Sequence, residues 1–507
     1  MDIAALLAAV FDPQILLTIL IATLYGSFVG AMPGLTATMA VALLVPFTYF
    51  MDPVQAVAAI VATTTTAIFA GDISGALLRM PGTPASAAYV EDSYALARGG
   101  EARTTLFVSL FSACIGGVVG VLILATATPL LAAIASNFSS DEAFWLATLG
   151  LSCAVLVGGP SVPRNFASLF IGLAIATVGI DVAVGHPRFT FGLQDLYGGI
   201  SFIPAMIGLF AISELLREAG TRPDLSLGKL VIEPLGTAIR NATRRMRANW
   251  RGIGRSSVGG TLIGALPGAG ADIAAWIAYA VARRVSKTPE KFGTGHYEGI
   301  VNAGAANNAG VAGAWTPALV FGIPGDSVTA IAIGVMLMKG LTPGPNIFES
   351  DGLLIQTLFG AFLLANIVML FTGGLAVAVA SWILRVPRAI LMPSVLLLSM
   401  VGAFAIDGSV TSLWITLVLG VLGFAMVRAD IPIAPAVLGV VLGEVVEDNF
   451  MVSMMKAQGD LTGFFSRTPA AVLGTITLIV WAALLWRSGR ELVRAFRTDD
   501  TARNANP

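Results

Sequence analysis

Residues Gly26-Ser-Phe-Val-Gly30-Ala-Met-Pro33-Gly34 recur later in the chain as Gly260-Thr-Leu-Ile-Gly264-Ala-Leu-Pro267-Gly268. Both copies read G-x-x-x-G-x-x-P-G and lie in apolar surroundings. A second Pro-Gly break follows each: Met80-Pro81-Gly82-Thr83 and Ile323-Pro324-Gly325-Asp326. Basic-Gly pairs, Arg98-Gly99 and Lys339-Gly340, come next in the same order. An ordered set of this kind marks a duplicated chain. Proline stops a helix and removes a donor, and glycine lets other groups approach the backbone closely. The chain must therefore fold as two related sets of apolar, interrupted helices.

Composition says what solvates them. Only 12% of the 507 residues are Asp, Glu, Lys or Arg, against about 25% in soluble domains. Counting Gly but not Tyr, the apolar share is about 66%, above the roughly 45–50% usual in soluble proteins. A soluble enzyme is excluded, as is a disordered or collagen-like chain. The net charge of −1 gives no basic field for nucleic acid. Cys114 and Cys153 lie in apolar stretches and read as core residues. His186 and His296 have no partner in a nucleophilic or metal motif. The first Lys or Arg is Arg79, so no basic segment precedes a leader, and the N-terminus reads as part of the membrane domain.

A spanning helix needs about 20 apolar residues. Candidates in the first half are Val54–Ala70, Thr105–Ala127, Ala143–Val157, Phe166–Ile180 and Ser201–Leu215. The second half offers Val311–Phe321, Leu353–Trp382, Ile390–Ala405, Leu413–Val427, Ile431–Val446 and Ala470–Trp486. The expected fold is an all-α polytopic membrane protein of roughly 10–12 transmembrane segments. Arg217 to Lys291 holds most basic clusters, including Arg244, Arg245, Arg247, Arg251 and Arg255, and is read as cytoplasmic. Arg98, Arg103, Arg164, Arg385, Arg388 and Arg428 share that side if the segments alternate. The expected organisation is a first membrane repeat over 1–216, a basic linker over 217–250, a second repeat over 251–487 and a polar tail over 488–507.

Ile15–Phe47 is apolar, broken at Pro33-Gly34 and flanked by Asp12 and Asp52. Arg251–Arg284 is broken at Pro267-Gly268 and has basic flanks. Each reads as a re-entrant helical hairpin, one opening outward and one to the cytoplasm, as in an inverted-topology repeat. Two complete helices, or one long kinked helix, remain the other readings.

Paired broken helices meet near the bilayer midplane in transporters built this way. Their exposed N–H ends suit carboxylates, and their carbonyl ends suit Na⁺. The second breaks offer Thr83 and Ser86 in one half and Asp326 and Ser327 in the other. Before them lie Thr63-Thr64-Thr65-Thr66 and Asn307-Asn308, which align when the Pro-Gly breaks are superposed. These serve a ligand or ion, or else hydrogen bonds between helices. Asp72, Asp272 and Asp326 are acids in or beside apolar segments. Asp72 and Asp326 are candidates for holding a coupling Na⁺ or proton. The other reading of Asp72 is an ion pair with Arg79. Gly116, Gly117 and Gly120 read as a helix-packing face. There is no G-x-x-x-x-G-K-[ST], so uphill movement would draw on an ion gradient or another subunit.

With these motifs together, the chain resembles the large permease subunit of the tripartite tricarboxylate transporter family. The resemblance rests on Gly26–Gly34, Met80-Pro-Gly-Thr-Pro-Ala-Ser86, Ala305-Ala-Asn-Asn308 and Gly322-Ile-Pro-Gly325. Leu341-Thr-Pro-Gly-Pro345 and Ile433–Gly443 add to it. It implies a bacterial inner-membrane importer of carboxylates such as citrate, coupled to Na⁺ or H⁺ and needing no other cofactor. It also implies two partners, a small membrane subunit and a periplasmic solute-binding protein. The family's substrate path carries over onto Gly34, Thr83, Ser86, Gly268, Asn307, Asn308, Gly325 and Ser327. Asp72, Arg79 and Asp326 depart from the small or neutral residues expected there, which puts citrate itself in doubt. Two rival functions remain. One is a membrane-embedded enzyme using Asp72 and Asp272, and the other is a passive channel.

Overall fold

The computed structural model describes residues 3–157, 161–181, 185–219, 233–268, 270–384 and 388–504. Arg385 and much of the expected basic linker lie outside them. The first half runs α1 (Ile3–Val10), α2 (Pro13–Ala31), α3 (Ala37–Thr48), α4 (Pro53–Leu78), α5 (Val90–Leu96) and α6 (Ala102–Ala135). It continues with α7 (Ser140–Val157), α8 (Val162–Ala176), α9 (Phe202–Met206) and α10 (Ser213–Ala219), the last two joined by π-helical turns at 207–212. The second half runs α11 (Leu235–Ala248), α12 (Trp250–Gly264), α13 (Gly270–Val285), α14 (Tyr297–Phe321), α15 (Ser327–Met338) and α16 (Ile347–Ser350). It ends with α17 (Gly352–Ile383), α18 (Arg388–Asp407), α19 (Val410–Arg428), α20 (Ile433–Lys456) and α21 (Thr468–Asn504). Among the described residues, the only strands are Gly179–Ile180 and Pro187–Arg188, paired antiparallel.

The chain is thus an all-α polytopic membrane protein. Among the described residues, six helices are long and apolar enough to cross a bilayer, those of α2, α4, α5 to α6, α17, α19 and α21. Shorter apolar helices accompany them. The lipid-facing sides carry Leu17 and Ile21 on α2, Phe371 and Leu375 on α17, and Trp414 and Val418 on α19, all exposed. The outcome differs from expectation in one place. The stretch expected over Phe166–Ile180 leaves the helix at Ala176, and its last two residues join the small hairpin. The polar tail after 487 continues α21 as helix to Asn504.

Local chemistry sets the breaks. Asp12 and Asp52 each precede a proline that opens a helix. The Asp12 carboxylate accepts the Gln14 N–H at 2.8 Å, and Asp52 forms a capping box with Gln55. The α2 helix stops before Pro33. Gly34 turns the chain at φ +89°, and Thr36 accepts the Met39 N–H at 3.2 Å to open α3. Gly268, at φ +79°, turns the chain between α12 and α13 in the same way. Both apolar stretches are therefore pairs of helices broken at Pro-Gly.

Each first break sits on a long helix of its own half. Gly26 and Gly30 of α2 lie against Thr63 and Ala67 of α4, and Gly260 and Gly264 of α12 lie against Ala306 and Gly310 of α14. Gly26 to Gly260 is 234 positions, and Thr63 to Ala306 is 243, the same as Ala67 to Gly310. The same contact is therefore made twice, at matched positions. Where lipid replaces water, helices associate through close backbone approach at small residues. The halves also interlock. The α6 helix packs along α14, α17 along α4, α8 along α20, and α19 along 207–212. Gly116 and Gly120 of α6 meet Ala305 and Ala309, the helix-contact role expected of them. The α4 span is wholly buried.

Candidate functional site

The four Pro-Gly breaks converge. A cavity of about 490 Å³ is lined by Thr36, Ala37 and Thr38 after the first break of half one, and by Thr83 and Pro84 after its second. Half two supplies Gly268, Gly270, Asp272 and Trp276 from its first break, and Asp326 and Ser327 from its second. Glu214, Phe210, Pro432 and Ile433 complete the wall. The starts of α3, α13 and α15 all face it, so partial positive charge of helix N-termini gathers there.

Hydrogen bonds hold the two halves of this wall together. Asp272 Oδ1 accepts the Ala85 N–H at 3.0 Å, and the Trp276 indole donates to the Pro84 carbonyl at 3.0 Å. The start of α13 is thereby clasped to the 83–86 turn. Within that turn the Thr83 N–H donates to Ser86 Oγ at 3.2 Å, and the Ser86 N–H donates to Thr83 Oγ1 at 3.1 Å. Asp326 caps α15, accepting the Thr329 N–H at 2.8 Å. A Cβ on Gly270, at φ +58°, would stand 2.8 Å from the Asp326 Cβ, so only glycine brings α13 this close to the second break.

The sequence-derived site residues divide into groups. Thr83, Gly268, Asp326 and Ser327 line the cavity. Ser86 is buried directly behind Thr83. Gly34 forms the turn before α3 but is not on the wall. Gly325 packs on α14, where a Cβ would meet the Ala314 Cα at 2.6 Å. Gly82 packs on Gly71 in the other half, at the matching positions.

Asn307, Asn308 and Asp72 lie elsewhere, in the interior among α4, α6 and α14. The Asn308 amide donates to the Thr65 carbonyl at 3.2 Å, and Asn307 bonds the Tyr89 hydroxyl. The Oδ1 atoms of both asparagines are buried without a hydrogen-bond partner. Tyr89 donates to Asp72 Oδ1 at 2.8 Å, and Ser109 donates to Asp72 Oδ2. The ion-pair reading of Asp72 with Arg79 is corrected: Arg79 pairs with Glu91 at 2.8 Å on an exposed surface. The helix ends at Leu78, and Arg79 turns left-handed at φ +58°, carrying its side chain away from Asp72.

The sequence reading missed Thr36, Thr38 and Trp276 on the wall. A signal for Thr38 was present: it precedes Asp272 by the same 234 positions that separate the first breaks. Among the described residues, no group of three or more His, Cys, Asp or Glu is placed to hold a metal ion. A second cavity, of about 310 Å³, lies beside the small hairpin. There Arg188 pairs with Glu447 at 2.6 Å and with Asp181 at 3.5 Å.

Interlocked helices, paired breaks and a cavity walled by both halves define a polytopic membrane transport protein. The chain belongs to the Tripartite tricarboxylate transporter TctA family, whose model matches residues 16–438. It is 30% identical over 458 residues to an uncharacterized 52.8 kDa protein in the TAR-I ttuC' 3' region of Agrobacterium vitis, covering 90% of each chain. A second Agrobacterium vitis protein, uncharacterized and in the TAR-II ttuC' 3' region, is 32% identical over 244 residues. That match spans 48% of this chain and all of the relative. No solved structure matches the chain.

Proposed function

We propose that the protein is the large membrane subunit of a binding-protein-dependent, ion-coupled importer of an organic carboxylate. The observation that carries this is the convergence of all four breaks on one cavity. N–H groups at the starts of α3 and α13 suit a carboxylate, with the hydroxyls of Thr36, Thr83 and Ser327 alongside. Membership of the TctA family supports the tripartite arrangement, with a small membrane subunit and a periplasmic solute-binding protein as partners in a bacterial inner membrane. The two repeats are taken to be inverted, with Na⁺ or H⁺ as the driving ion and Asp72 and Asp326 as its candidate carriers. Asn307 and Asn308 support the path from within the packed helices.

The membrane-enzyme reading draws no support from the geometry. Asp72 is engaged by Tyr89 and Ser109, and Asp272 by the Ala85 N–H, so the two acids have separate partners. The carrier reading is tested with membrane vesicles supplied with the solute that the co-encoded binding protein captures. Uptake is expected to saturate and, where Na⁺ is the driving ion, to collapse when choline replaces Na⁺. Unchanged uptake points to H⁺ or another source. Flux proportional to concentration at all levels, with unitary currents, makes the protein a channel and ends the carrier reading.

A further inference from the structure

The basic charge at the start of the second half is concentrated and unopposed. Arg240, Arg244, Arg245, Arg247, Arg251 and Arg255 follow one another with no Asp or Glu between Glu233 and Asp272. Glu233 faces α6 instead, where its carboxylate accepts the Thr104 N–H at 2.9 Å and the Thr104 hydroxyl at 2.7 Å. Those bonds fix the start of α11. Ala238, Ala242 and Met246 bury one face of that helix, which turns Arg240, Arg244 and Arg247 outward, all exposed. Arg245 lies over the Tyr297 ring, 4.7 Å from its centroid. Among the described residues, Arg240, Arg244, Arg247 and Arg251 make no ion pair.

A second observation says what covers this charge. Arg251, Arg255, Val258 and Leu262 recur at i, i+4, i+7 and i+11, so they share one face of α12, and all four are exposed. The face is apolar at Val258 and Leu262, like the lipid-facing sides of α2 and α17. It turns basic at Arg255, about 4.5 Å further along the axis, as a surface does where hydrocarbon gives way to headgroups. Arg255 also reaches Asn302 Oδ1 at 3.5 Å, and the Arg251 guanidinium lies 5.3 Å from the Trp250 ring centroid. Only Asn249 separates α11 from α12, which brings Arg247 to the same end of the stripe. Guanidinium groups match phosphate oxygens in a fixed fork. A soluble anion would use the arginines and leave the apolar stripe bare, whereas an anionic phospholipid uses both.

We propose that Arg247, Arg251 and Arg255 bind the phosphate headgroup of an anionic phospholipid whose acyl chains lie along Val258 and Leu262 of α12. The site goes beyond the carrier reading and does not depend on it. Its occupant ties α11 to the hairpin formed by α12 and α13, because the headgroup is held from both helices.

The test uses the full chain in nanodiscs of phosphatidylcholine alone or of its mixture with phosphatidylglycerol. The thermal unfolding midpoint is followed, and the lipid retained after release from the nanodisc is identified by native mass spectrometry. Phosphatidylglycerol should be retained over phosphatidylcholine and should raise the midpoint by about one to three degrees, since a ligand of the folded state stabilises it. Arg251→Gln combined with Arg255→Gln should lower that retention by about tenfold or more, the size expected for losing charged hydrogen bonds. Arg247→Gln, at an exposed position, is a second variant that does not depend on the fold of the first, with a loss of about fivefold for one basic side chain near an anionic surface. Arg490→Gln is the control. Its guanidinium lies 4.7 Å from the Trp486 ring centroid but beside Glu491, and the variant should retain the lipid fully. Inorganic phosphate and glycerophosphoglycerol, added to phosphatidylcholine nanodiscs, should leave the midpoint unchanged. Three outcomes overturn the proposal: equal midpoints and no lipid preference in the two nanodiscs, equal loss of retention in Arg490→Gln, or a full rise from the soluble phosphates, which would make the site one for a free anion. Solute uptake enters none of these measurements, so failure here leaves the carrier reading untouched, and failure of that reading leaves the lipid site standing.

Discussion

Asp72 carries the sharpest conflict between residue and surroundings. Its side chain is buried in α4 and has two neutral hydroxyl partners and no basic one among the described residues. An ionised carboxylate in such a place is costly unless a cation joins it or a proton neutralises it. Asp72→Asn keeps an acceptor for Tyr89 and a polar partner for Ser109, but it cannot exchange a proton or match a cation. The variant should insert and fold normally. Accumulation against a gradient should be lost, while exchange of labelled for unlabelled solute persists. Concentrative uptake at the wild-type level would remove Asp72 from coupling. The acid itself was legible in the sequence, as an exception in an apolar run. Its partners were not. The seven-residue spacing to Arg79 would place both on one helix face only if the helix continued, and the left-handed turn at Arg79 ends it.

At the level of elements, the packing of α12 on α14 depends on the absence of side chains. Gly264 abuts the Gly310 carbonyl, whereas Gly259 on the same helix has nothing within 4 Å of where a Cβ would stand. Gly264→Leu must push the two helices apart, at about 1–3 kcal/mol for overpacking of a tight interface. Gly259→Leu should be nearly neutral. Thermal unfolding of the purified variants, followed by tryptophan fluorescence, should show a drop of about one to three degrees for the first alone. Equal midpoints would mean that this contact contributes little to stability. Helix positions were largely readable, because apolar length and Pro-Gly punctuation survive in a single sequence. Lengths were less so. Ile180 left its helix for an antiparallel pair with Pro187, seven residues on, a pairing that hydropathy does not reveal.

At the scale of the whole molecule, the duplication was legible, but the crosswise packing was not. Nothing in the order of residues says that α6 belongs beside α14, or α17 beside α4, because either long apolar helix could have packed within its own half. The pairing has a consequence for the axis that relates the repeats. Thr65 and Asn308 are 243 positions apart, the same separation as the second Pro-Gly breaks, and they touch each other through the Asn308 amide. Matched residues meet in this way where the two copies cross, as they do at a self-complementary interface. If that crossing lies in the membrane plane, the first hairpin opens to one side and the second to the other. Charge supports this assignment: exposed Asp52 flanks one pair of helices, and exposed Arg284 flanks the other. The prediction can be tested in a Cys114→Ser, Cys153→Ser background carrying one new cysteine at a time. Asp52→Cys should react with a membrane-impermeant maleimide in cells whose outer membrane alone is permeabilised. Arg284→Cys should react only after the inner membrane is opened. Labelling of both from the same side would place the two hairpin openings together and exclude an inverted arrangement, however well the contacts repeat.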